Sequence, residues 1–406
     1  MSPLLTLAVR NLTRSKARNA ITTGAILFGV AVSLFLGARI KGMQNATIDD
    51  VVDARVGAIQ VHRRGYFDLK ENQPLKLDLP QDPALEAKLR AVPGVREVMP
   101  RIAFSGQVSN GSRATLIAGQ GMDPARELAV LPLAHREVRG RPLSAEVPQG
   151  AVMGQDLANA LELKPGASLV LQATTQKRKE NAVDLDLVGT VISLNPQESK
   201  RTLNLTLVQA QRLLRMDGRV TEYVVAVKNR DEVDAVAARL RTELGDGYEV
   251  HTWAELRPTV VDRIRIQQTM LTIIVGVCVI LAVFGVANAM WMSVKERTRE
   301  IGTMLAMGIR RWEVGGLFLL EAALQALLGG ALGAGLVFAQ VAVSAAQGGI
   351  QTTLPGGTAP LTIIPTIAPG LLAAVLLTST LGAVVASVFP ALRAARLHPV
   401  EALRSL

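Results

Sequence analysis

One cysteine, Cys278, occurs in 406 residues, and it falls inside an apolar run. An intramolecular disulfide is therefore excluded, and so is any site built from several thiolates. Histidine is almost as scarce. His62, His135, His251 and His398 are scattered, without HExxH or any comparable ligand spacing, so no metal site is expected. Aromatic residues make up only 3% of the chain, and no basic stripe interleaves with stacking rings as single-strand binding requires. The net charge of +10 is therefore not read as a nucleic-acid footprint, and no nucleic-acid partner is expected. The phosphate-cradling pattern GxxxxGK followed by Ser or Thr is absent, and nothing resembles a Ser/His/Asp set at a membrane face. No catalytic residue is assigned, and the chain by itself is not expected to be an enzyme.

What the chain does have is apolar length. Hydrophobic residues form 49% of it against 19% charged, with a mean hydropathy of +0.29, which points to the membrane. Residues 1–18 carry Arg10, Arg14, Lys16 and Arg18 with no acidic residue, over a stripe of Leu4, Leu5, Leu7, Ala8, Val9 and Leu12. That pattern predicts an interfacial amphipathic helix on the cytoplasmic leaflet. A first span at 19–40 contains the uncharged run Ala20 to Ala38, close to the roughly 20 residues that cross a bilayer core. A signal peptide is the alternative, but Arg39 and Lys41 follow at once and no cleavage site leads into a polar start.

The remaining boundaries follow from where charge stops and resumes. A large extracytoplasmic region spans 41–265, and Arg263 and Arg265 near its end suit a helix that continues out of the membrane as a stalk. The second span is 266–292, a charged cytoplasmic loop 293–314, the third span 315–345, an uncharged external loop 346–362, the fourth span 363–389 and a basic cytoplasmic tail 390–406. The Lys and Arg bias places both termini inside. Gly329, Gly330, Gly333 and Gly335 give the third span a small-residue face, suited either to packing within one subunit or to a dimer seam. Glu321 is the one carboxylate in a span interior. It is either a functional group or a side chain near enough to the interface to be solvated or paired.

The two ends of the external region look alike. Strand 58–62, helix 83–91 and strand 95–102 form one strand-helix-strand unit, and strand 222–228, helix 232–244 and strand 248–253 form another. These are expected to pair into one split layer, with a mostly β subdomain inserted at about 105–218; a single irregular α+β domain is the alternative. The fold class is thus an α-helical membrane protein with four transmembrane helices and a large extracytoplasmic α+β domain.

The loop KERTREIGTMLAMGIRRWEV resembles the signature of the FtsX-like permeases, the MacB and LolC/LolE group of ABC transporters, in which an ERxREIGxxxAxG segment follows the second span. The tail FPALRAARLHPVEALR is similar to the ending of the same family, with His398 where Asp is common. The resemblance covers the whole chain and implies a coupling helix seated against separate cytoplasmic ABC ATPase subunits. The residues it assigns to that coupling are Glu296, Arg297, Glu300, Ile301, Gly302, Met304, Met307 and Gly308. It further implies that ATP and Mg are bound by the partner ATPase, that this chain holds no cofactor, and that a second copy or a homologous permease completes the complex.

Looser likeness of GAIQVHRRGY, PRIAFSG, GMDPARE and GAVMGQDLANALELKPGASLVL to the LolC/LolE branch implies a lipoprotein substrate, a periplasmic carrier and a bacterial inner-membrane location. Such a function needs an apolar chamber for acyl chains. Leu34, Phe35 and Leu36 on the first span and Met270 and Ile274 on the second are placed to line it, the alternative being that they face membrane lipids or pack internally. MacB-like export of a peptide, toxin or drug, and FtsX-like regulation of a cell-wall hydrolase, are the other functions the resemblance allows.

Overall fold

The computed structural model describes residues 16–69, 75–135, 138–193, 195–353 and 360–397, with Leu7, Ala8 and Arg10. The interfacial helix expected over residues 1–18 and the end of the tail, including His398, therefore lie largely outside the described residues. The chain divides into two compact units, one of residues 1–44, 263–350 and 362–406, the other of residues 45–262 and 351–361.

Four helices among the described residues are long and apolar enough to cross a membrane. They are α1 (Lys16–Val51), α5 (Pro258–Glu296), α7 (Arg311–Ala346) and α8 (Pro369–Ala395). Two are longer than their charge-free runs. Helix α1 continues past Arg39 and Lys41 into a π-helical turn, Val52–Val56, that ends at Gly57. The charged residues beyond position 38 are ordinary helix formers, so charge marks the edge of the apolar segment without ending the helix. Helix α5 starts with Pro258, where a missing N–H costs nothing.

The bundle core gathers Ile26, Val30 and Leu34 from α1, Val286 and Met290 from α5, Phe318, Ala322 and Ala326 from α7, and Val375 and Ala383 from α8. Three members of the small-residue face pack inside this one subunit, two of them against α1. A side chain at Gly329 would meet the Thr23 carbonyl at 2.9 Å, and one at Gly333 the Leu27 carbonyl at 2.7 Å. Close approach of α7 to α1 thus needs glycine at both positions. Gly330 faces Leu376 of α8, and nothing approaches Gly335.

The second unit is organised by one sheet. Its main strands are β1 (Ile59–Arg63), β2 (Val95–Ser109), β3 (Ala114–Met122), β4 (Gly150–Gly154), β5 (Ser168–Thr174), β6 (Glu180–Val191), β7 (Thr202–Thr206), β8 (Glu222–Val227) and β9 (Tyr248–Thr252). The four strands of the two strand-helix-strand units pair in the order β9-β1-β8-β2, with Val61 opposite both Tyr223 and Val250. Helices α2 (Pro83–Ala91) and α4 (Val233–Leu244) complete this split layer, burying Leu85, Leu89, Val236, Ala237 and Leu240 in the domain core.

The middle of the region, expected as an inserted mostly β subdomain at about 105–218, is mostly β and is continuous with the layer through one strand. Strand β2 is 15 residues long. Its first half pairs with β8 and its second half with β5 along the same edge, while β3 covers the other edge over Arg101 to Ser109. From there β3-β7-β4-β6-β5 returns to β2, closing a six-stranded barrel hydrogen-bonded into the layer. The short segments SLVLQAT and VDLDLVGTV alternate as half-buried strands must, but the continuity of β2 through Ile102 and Phe104 carries no local signal. Helix α3 (Pro124–Val130) follows β3.

Candidate functional site

The charged segment between α5 and α7 folds as a short helix, α6 (Thr298–Ala306). Its start is set by a break at Arg297, and its end by Gly308, which has φ +91. The Gly308 N–H donates to the Leu305 carbonyl at 3.2 Å and the Ile309 N–H to the Met304 carbonyl at 3.2 Å. This pair of bonds is a Schellman ending, and it requires a left-handed residue at the position Gly308 occupies. Helix α7 then opens at Arg311, where the Arg310 N–H donates to Glu313 Oε2 at 2.9 Å.

The eight residues singled out in the sequence divide between two faces. Ile301 has no exposed surface, Gly302 is buried, and Met304 packs half-buried against the bundle core. Arg297 joins them through Nη1, which donates to Glu321 Oε2 on α7 at 3.2 Å, with side-chain exposures of 10% and 1%. Glu321 is thus a paired carboxylate, and its partner is the signature arginine itself. One turn further along α7, Gln325 donates to Asn19 of α1 at 3.0 Å, both groups buried. The opposite face of α6 shows Glu300, Met307 and Gly308 to the outside, and Glu296 is exposed just before it. Met307, an apolar side chain, is 70% exposed, as is suited to a contact that another protein completes.

The tail motif acts on the same end of the bundle. Phe389 stacks on Trp291 at 5.6 Å between ring centroids, and the Arg393 guanidinium lies 4.6 Å from the same indole. Ala391 and Ala395 of that motif pack beside Gly315 at the start of α7. These contacts join α5, α7 and α8 where α6 emerges. The i, i+4 spacing of Phe389 and Arg393 was visible in the sequence, but their shared partner was not.

The residues expected to line a chamber differ in exposure. Leu34 is fully buried in the core of its own bundle. Its place there, packed among α1's neighbours, corrects its assignment to a chamber wall. Phe35 is half-buried with the Arg39 guanidinium 5.8 Å from its ring, and Leu36 is half-buried. Met270 and Ile274 are exposed at 59% and 37%, within a row of exposed apolar residues on α5 that includes Ile266, Ile273, Val277, Ile280 and Phe284. Among the described residues, no three His, Cys, Asp or Glu side chains gather as a metal site would require.

Four membrane-length helices and a large split α+β domain, with a docked helix between the second and third of those four, define a multi-pass membrane protein of the permease type. The chain belongs to the MacB/FtsX-type permeases: the MacB-like periplasmic core domain matches residues 19–243 and the FtsX-like permease C-terminal matches residues 272–399. It is 25% identical over 98% of its length to the macrolide export ATP-binding/permease protein MacB of Shewanella sp. (strain ANA-3) and 22% identical over 98% to that of Escherichia coli. The chain spans 60% of the length of each of these relatives. Among solved structures, the periplasmic region of MacB from Actinobacillus actinomycetemcomitans aligns with a TM-score of 0.36 and 12% identity, covering 50% of this chain and 92% of that one. The extracellular domain of the noncanonic ABC-type transporter YknZ from Gram-positive bacteria aligns at 0.33 and 14%, covering 48% and 100%.

Proposed function

We propose that the chain is the permease part of an ABC machine in the bacterial inner membrane, in which ATP hydrolysis by a separate cytoplasmic ATPase performs mechanical work on the far side. The observation that carries this reading is the two-faced α6: one face is fixed to the bundle through Arg297, Ile301 and Gly302, and the other offers Glu300 and Met307. A helix pushed from outside delivers displacement only if its far face is held, and the Arg297–Glu321 pair holds it to α7. ATP and Mg belong to the partner, and the row of apolar side chains on α5 suits a second copy or a homologous permease surrounded by lipid.

For the cargo, the relatives aligned over nearly the whole chain favour expulsion of an amphiphilic peptide, toxin or drug from the periplasm, since macrolide export is in their names. Lipoprotein extraction and delivery to a periplasmic carrier is the second reading, supported by the external segments that resemble the LolC/LolE branch. Both use the same coupling. Purification with the cognate ATPase followed by mass spectrometry of bound material separates them, because triacylated peptides support the second and non-acylated amphiphiles the first.

The coupling itself is tested by Glu300→Arg. The variant is expected to retain its spans and its fold while ATP-driven activity of the reconstituted complex falls at least tenfold. Co-purification of an unchanged amount of ATPase with full activity would sink the assignment.

A further inference from the structure

The segments that connect the second unit to α1 and α5 both begin at neighbouring strands, since β1 and β9 pair with Ile59 opposite Thr252. Each segment presents an arginine there: Arg55 in the π-helical turn before β1, and Arg257 immediately before α5. One carboxylate reaches both. Glu198 Oε2 lies 3.4 Å from Arg55 Nη1, and Glu198 Oε1 lies 3.2 Å from Arg257 Nη2.

Glu198 comes from the barrel. It sits in the short helix Pro196–Ser199, between β6 and β7, and that helix is tied down on all sides. Asn195 caps it through a bond from the Gln197 N–H at 3.0 Å, the Asp156 N–H donates to Ser199 Oγ at 3.1 Å, and Thr202 Oγ1 donates to the Glu198 carbonyl at 2.9 Å. The split layer grips the first segment separately. Arg230 bonds Asp49 and Asp53, and buried Arg101, ion-paired to Glu222, donates to the Arg55 carbonyl at 2.6 Å. The layer also grips the second segment, through Arg241 of α4, whose Nη2 donates to Glu255 at 3.1 Å. Glu198 differs in tying both segments, through one carboxylate, to the barrel.

We infer that Glu198 is the positioning residue through which relative movement of the two segments is passed to the barrel half of the domain. This rests on the coupling reading above, which supplies the movement. A single carboxylate with one oxygen on each arginine keeps both ion pairs only while the arginines stay near their present separation, because the attraction falls as the charges move apart and water enters between them. When the segments shift, the rigidly mounted short helix must follow one of them, and the barrel turns with it. These groups are partly exposed, so the link is easily broken and remade, as a repeated cycle requires.

The test uses the full chain with its cognate ATPase in lipid nanodiscs. Cys278 is replaced by Ser, and spin labels are placed at Glu180→Cys on the barrel and Asp234→Cys on α4. The label separation is compared without nucleotide and with ATP trapped. The expected result is a separation that changes on trapping in the parent and stays fixed in Glu198→Gln, with ATPase rates within twofold of each other. Exchanging all three charges together, in E198R/R55E/R257E, is expected to restore the change, which a purely structural role would not allow. Should the Gln variant fail to assemble, Glu198→Asp, which keeps the charge but shortens the reach by one methylene, is measured in the same way and is expected to reduce the change. A change that survives intact in the Glu198 variants overturns the link alone. A parent that shows no change overturns the coupling reading and the link with it.

Discussion

At the scale of single residues, two buried polar sites have direct consequences for stability, one in the bundle and one in the domain. The first is the Arg297–Glu321 pair. Taking two charges out of water is costly, and removing one partner leaves the other uncompensated at on the order of 3–5 kcal/mol. Arg297→Met or Glu321→Leu alone should therefore destabilise the bundle by about that much, while the double substitution recovers most of it. Thermal unfolding of the full chain in detergent, followed by the reaction of half-buried Cys278 with a thiol-reactive dye, checks this; two single effects that simply add would show that the residues do not interact. The second is His62 on β1, stacked on Tyr66 at 4.2 Å and 3.2 Å from Gln60 Oε1 through Nε2. Burial, opposed by nearby Glu222, lowers its pKa from 6.5 to about 4. The unfolded chain thus binds a proton that the folded domain refuses, so stability is fully present above about pH 6.5 and is lost as pH falls towards about 4. Within that window the ratio of unfolded to folded domain should rise by up to roughly tenfold per pH unit, read as faster hydrogen exchange of the β1 amides. His62→Phe, which cannot be protonated, should flatten that contribution.

At the scale of elements, α6 shows what local sequence does and does not announce. Its end is written in one residue: Gly308 is the left-handed position of a Schellman turn. Gly308→Ala should cost about 1–2 kcal/mol, spent locally as fraying of the α6–α7 corner, and is expected to weaken ATPase coupling without loss of the four long helices; circular dichroism alongside the reconstituted activity tests both halves. The helices themselves, the split layer with its pairing of distant strands, and the docked segment were all legible, because apolar length, alternation and turn glycines are local signals. Three things were not. The partner of Arg297 lies on another helix, and a lone carboxylate in an apolar run does not say which cation it meets. Leu34 reads like its neighbours Phe35 and Leu36, and only the approach of other helices decides that it is inside. The passage of β2 from layer to barrel depends on which strands line up along its two edges, a property of the folded sheet that no stretch of Val95 to Ser109 encodes by itself.

At the scale of the whole molecule, the second unit is built on one large sheet that draws its strands from both ends of the segment. Strand β1 lies between β8 and β9, with Ile59 opposite Val225 on one side and Thr252 on the other. The first strand to leave the ribosome is thus among the last to be completed, since both of its neighbours are made from the far end of the domain. Pairings this distant in sequence are slow to form, and an unpaired strand edge invites association with other chains. During synthesis, Ile59 to Arg63 must wait without either neighbour until the chain has grown past Glu222. Biogenesis of this protein is consequently a race between elongation and misassociation. Anything that stalls translation within the barrel segment endangers the domain while β1 still has no neighbour, even when every residue of the finished protein is correct.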